Sequence, residues 1–168
     1  ADTLDLTNYA FARVSNAPTN IGVYEYWVDF DSGAVILPYD VYIVCESGQS
    51  NTIVDSIILA AADMDYPYMS NGDDGFALLY GNNPGSPMTP SAGGYQILDW
   101  LGDWNGDPGS GWDVAGENNA TANHTLIRKC LVTQGDTNWI ASAGIDSLSS
   151  QWLVYPQDYW NDIGQHSI

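Results

Sequence analysis

The sequence predicts an all-β fold: an immunoglobulin-like β-sandwich with one inserted helix at about residues 51–62 and long loops. Three observations carry this expectation. Runs of β-branched and aromatic residues are short, as at 23–30 (VYEYWVDF) and 41–45 (VYIVC), and such side chains suit a pleated, half-buried surface. Clusters of Asn, Asp, Gly, Pro and Ser lie between them and provide the backbone conformations of tight turns. Only 52–62 (TIVDSIILAAA) repeats apolar residues at helical spacing.

Taken in order, residues 4–14 alternate loosely after an Asp-Leu-Thr-Asn bend and suit a strand. The run 23–30 makes the next strand, and residues 34–37 re-enter a sheet after the turn at 29–33. Residues 41–45 are the most β-prone run and are expected to form a central strand. Ser50 or Asn51 caps the helix, which is expected to cover one end of the sheet. Residues 64–69 read as irregular, 76–80 (FALLY) as a short buried strand, and 81–94 as an exposed loop with three prolines and four glycines. Strands follow at 95–101 and 125–133, with short extended pieces at 139–143 and 151–155. Residues 156–162 read as one or two helical turns opening on Pro156.

The chain has 168 residues, which fits one domain spanning 1–168 with a substantial core. Acids outnumber Lys and Arg by 21 to 3, for a formal charge of −18. Nucleic acid is excluded as an expected partner, because Arg13, Arg128 and Lys129 cannot make a phosphate-binding patch. The excess aspartate reads mainly as a solubilising surface, with hard-cation ligation as the alternative. No apolar run reaches the roughly 20 residues of a membrane span. Cys45 and Cys130 both lie in strand-like contexts, and in an oxidising compartment one disulfide between them would close a loop of about 85 residues and contribute about 2–4 kcal/mol. The triplets beginning at Asn119 and Asn123 are glycosylation sequons in a polar loop.

Chemistry concentrates in residues 97–112 (ILDWLGDWNGDPGSGW). Asp99, Asp103, Asn105 and Asp107 form a candidate calcium site, since alternate oxygens on a tightly curved segment converge on one ion. The pattern is no EF-hand: Pro108 and Val114 stand where Gly and Glu are required. Trp100, Trp104 and Trp112 are candidate sugar-stacking rings, against the alternative, preferred here, that they pack beneath their own loop. The two histidines, His124 and His166, provide no nucleophile–base arrangement, and no GxSxG elbow is present. His124 is expected to hydrogen-bond within its loop, and Arg128 and Lys129 to pair with nearby aspartates. Carboxylates are too abundant for any glycosidase pair to be specific.

Residues 4–9 (LDLTNY), 38–44 (PYDVYIV), 70–79 (SNGDDGFALL) and 97–102 (ILDWLG) together resemble the lamin-tail domain, particularly its secreted bacterial and algal branch. The likeness continues through 112–116 (WDVAG), 124–129 (HTLIRK), 135–139 (GDTNW) and 151–154 (QWLV). The resemblance implies an immunoglobulin-like, extracellular or cell-surface module without catalytic residues. It also implies that two initial strands of the family pattern are missing before residue 4, leaving an apolar groove and unpaired backbone. The expected function is a structural or adhesive building block, filled by a donated strand through self-association or a protein partner, and steadied by calcium and a disulfide. The alternative is a carbohydrate-binding accessory module of a secreted enzyme.

Overall fold

The computed structural model describes residues 2–16, 23–46, 56–86, 88–89, 93–104 and 106–165. Its architecture is all-β and sandwich-like. One antiparallel sheet dominates, with the order β3–β2–β7–β8: β2 is Tyr9–Val14, β3 Tyr26–Asp29, β7 Gly75–Gly81 and β8 Tyr95–Leu101. Alternation along these strands gives the sheet two apolar faces. On one face Ala12, Val14, Ala77 and Leu79 pack with Tyr24 and Trp104. On the other, Phe11 meets Phe30, Tyr66 and Phe76 through tilted and edge-on rings.

Three two-stranded pieces accompany the main sheet. β1 (Leu4–Asp5) pairs with β4 (Val35–Ile36), β5 (Val44–Cys45) runs parallel to β6 (Met64–Asp65), and β9 (His124–Arg128) pairs with β10 (Trp152–Pro156). Among the described residues no ladder joins these pieces to one another. A second apolar cluster, Trp112, Val114, Ala120, Trp139 and Ala143, draws in Leu101 of the main sheet and Leu126, Trp152 and Val154 of β9 and β10.

Several elements depart from the sequence reading. The first strand is broken: Tyr9 N–H bonds to Leu6 O and turns the chain between β1 and β2. Residues 41–45 are not central, since only Val44 and Cys45 are paired and Asp63 Oδ2 accepts the Ile43 N–H. High β propensity places no strand without a neighbouring one of matching register. Met64–Asp65, read as irregular, is the partner that Val44–Cys45 finds. The helix α1 is Ser56–Ala61, and none of its residues is buried. The proposed cap and start at 50–55 lie outside the described residues, and no packing of α1 on a sheet end is seen among them.

Residues 139–143, read as extended, form a second helix, α2 (Trp139–Ala143). Asn138 Oδ1 accepts the Ala141 N–H, a side-chain cap for a free helix donor, while Trp139 and Ala143 face the second cluster one turn apart. The strand expected over 125–133 stops at Arg128, where Val132 N–H bonds to Lys129 O and reverses the chain. Pro156 ends β10 rather than opening a helix, and turns follow it.

Candidate functional site

The 97–112 stretch begins in β8 and ties the two apolar clusters together. Trp104 is 3% exposed in the first, with its ring 4.8 Å from Tyr24 and 5.3 Å from Trp100. Trp112 is buried in the second, 6.4 Å from Trp139. Two glycines make room for these rings. A Cβ at Gly75 would lie 3.3 Å from the Trp104 ring, and one at Gly102, where φ is +89°, would lie 2.9 Å from that of Trp112. The preferred packing reading of Trp104 and Trp112 therefore describes the structure; rings this enclosed present no face to a sugar. Trp100 is half-buried against the first cluster.

The candidate calcium ligands are divided among other tasks. Asp99 takes the Arg128 guanidinium, with Nη2 at 2.8 and 2.7 Å from its two oxygens, and also accepts the Asp136 N–H at 2.9 Å. Asp107 caps the Gly109 N–H at 2.7 Å as a turn residue does. Asp103 is also engaged, and Asn105 lies outside the described residues. Among the described residues no group of three or more His, Cys, Asp or Glu side chains converges on a metal-sized centre. Oxygen spacing along a loop fixes the order of ligands but not the direction in which each side chain leaves the backbone.

The expected disulfide is corrected: both thiols are free, Cys45 buried on β5 and Cys130 exposed in the turn after β9. Cys130 leaves the strand because the ladder ends at Arg128. Burial, reinforced by Asp65, pushes the Cys45 thiol above its ordinary range. A thiol reagent at neutral pH is accordingly expected to modify one cysteine quickly and the second only on unfolding; two unreactive sulfurs in the native, unreduced protein would restore the bridge.

Asn119 and Asn123 are both exposed, each with φ of +51°. Asparagine tolerates this left-handed conformation, which gives both positions a backbone reason for their residue type. His124 Nδ1 bonds with Ala122 O at 3.0 Å, while His166 lies outside the described residues. Lys129 departs from the expected carboxylate pairing: its Nζ donates to Ser147 O and Ser150 O, at 2.6 and 2.5 Å. Arg13 holds buried Asp74 at 2.7 Å. All three cations of the chain thus serve internal contacts.

Sequence reading did not find the polar hub beside β8. Arg128 lies 4.1 Å over the Trp152 ring and donates to Gln151 Oε1 at 2.7 Å, while Gln151 Nε2 donates to Asp136 Oδ2 at 2.6 Å. This hub links β8, β9, the start of β10 and the loop at 131–137. It also lines an apolar cleft of about 210 Å³ on the second face of the main sheet, formed by Phe11, Phe76, Leu78, Leu101, Arg128 and Trp152. Tyr66, directly after β6, meets the Phe11 ring edge-on. Around the edge of β8 lies a larger groove of about 1090 Å³.

Comparison with family models, curated proteins and solved structures finds no match. No helix among the described residues is long and apolar enough to cross a membrane.

Proposed function

We propose that this protein is a non-catalytic extracellular building block of lamin-tail type, which assembles by accepting an extended segment from a neighbouring chain. The apolar cleft on the second face of the main sheet is the observation that supports this reading best. Its floor is a row of sheet side chains, Phe11, Phe76, Leu78 and Leu101; Arg128 and Trp152 of the β9–β10 pair line it, and Tyr66, directly after β6, meets Phe11. Leu78 and the neighbouring Tyr80 remain 38% and 42% exposed. An inserted strand with alternating apolar residues would cover this row and offer backbone partners to the β9–β10 pair beside it, as in strand addition.

The surface fits a docking role in a second respect. Tyr39, Ile140, Ile145 and Leu148 are each at least 75% exposed, while the chain carries a net charge of −18. Apolar contacts must then overcome repulsion between copies, so assembly is expected to strengthen as salt screens the charge. Sedimentation and electron microscopy of the purified chain across a range of ionic strengths test this. Ordered oligomers or filaments that grow with salt are the expected result; monodisperse single chains at every ionic strength would overturn self-assembly.

A further inference from the structure

We infer that the outer edge of β8 is a docking groove for an extended, basic segment of a partner protein with alternating apolar side chains. Beyond its ladder with β7, β8 makes one further backbone–backbone bond among the described residues, from Trp100 N–H, which also meets Asp99 Oδ1 at 2.9 Å, to Asp136 O at 3.1 Å. That bond holds the 131–137 loop against the C-terminal half of the strand. Gly135 lies so close to Leu98 O that a Cβ would not fit there. The loop therefore meets the edge at Leu98 and Trp100. Among the described residues no bond beyond the β7 ladder is made by the Tyr95–Ile97 backbone, where another strand can continue the sheet.

The groove beside this edge occupies about 1090 Å³ and is lined by the apolar side chains of Leu78, Ile97, Leu131 and Val132, against which those of an added strand can pack. Its charge selects the partner. Asp136 and Asp99 line it, Asp99 already paired with Arg128, whereas none of Arg13, Arg128 and Lys129 lines it. The Asp136 carboxylate accepts the Asn138 N–H and the Gln151 amide and faces no cation among the described residues. A second copy of a chain with net charge −18 is a poor occupant, while lysine or arginine alternating with aliphatic residues matches both the floor and the rim. The groove shares Leu78 and Asp99 with the cleft described above but extends away from it around the strand edge.

Fluorescence anisotropy with the full chain and a dye-labelled peptide of alternating valine and lysine tests this, with an alternating valine and glutamate peptide as the counterpart. The basic peptide is expected to bind ~10-fold or more tightly than the acidic one. Leu131→Ser should weaken its binding roughly 5- to 10-fold, since an apolar contact is lost. Leu148→Ser, at a leucine that is equally exposed but does not line the groove, should leave binding unchanged. Hydrogen exchange should show new protection at Tyr95–Ile97. Unchanged binding in both variants would mean diffuse charge attraction and would overturn the proposal, as would equal losses in both or protection at β3 instead of β8. Dimerisation through β8 without peptide would also overturn it, by making a second copy the occupant. Leu131 does not line the sheet cleft, so loss of peptide binding in Leu131→Ser with assembly intact separates this groove from the assembly reading.

Discussion

Replacing Trp104 with alanine is expected to lower the unfolding free energy by about 3–5 kcal/mol, the range for deleting a large aromatic side chain from a packed core. The ring is 3% exposed and touches Tyr24 and Trp100, and Gly75 is shaped to its far edge. The surrounding sheet cannot collapse onto the space, because Ala12, Ala77 and Leu79 are fixed by their ladders. Trp104→Phe should cost much less. It keeps most of the apolar volume and removes an indole N–H that is buried without a partner among the described residues. Urea denaturation of the three chains measures the difference. An alanine variant of unchanged stability that has lost binding to a glycan would overturn the packing role and restore the sugar-stacking one.

The second large effect belongs to Arg13. Asp74 is 3% exposed and receives Arg13 Nη2 at 2.7 Å and the Asn16 N–H at 2.9 Å. Its neighbour Asp73 is also buried and bonds to Asn16 Nδ2 at 3.2 Å. The guanidinium therefore serves one of two adjacent buried carboxylates, that of Asp74. Arg13→Met leaves that charge without a counter-ion and should destabilise by about 3–5 kcal/mol, the usual range when one member of a buried pair is removed. Adding Asp74→Asn to this variant should recover part of the loss, because the amide carries no charge to desolvate. If the double variant is as unstable as the sum of the singles, the two residues act separately and the pairing argument fails.

These two sites differ in how well the sequence displayed them. The core of the sheet was legible: β8 has the bounds expected from its pattern, and β7 extends the expected FALLY strand by one residue at each end. β7 lies inside the main sheet, where alternating burial and local preference agree, and β8 is held along its length by its ladder with β7. The 41–45 run carries an equally strong preference, but its pairing partner is a Met-Asp dipeptide with no strand signature. Helix α2 is short, and its signal, an Asn cap three residues before the N–H it accepts, was present at Asn138 but outweighed by Trp139 and Ile140. The Asp99, Arg128, Gln151 and Asp136 hub joins residues as many as 37 positions apart, and no local spacing encodes such a contact. The same reason applies to the two cysteines, whose similarity of context did not determine where the fold places them.

The loop after β8 sends Trp104 into one apolar cluster and, only a few turn residues later, Trp112 into the other. Neither ring can leave its seat without dragging the intervening backbone and loosening its counterpart. The short span thus acts as a mechanical clamp: under heat or force the two halves of the molecule should yield in one cooperative transition rather than melt in sequence.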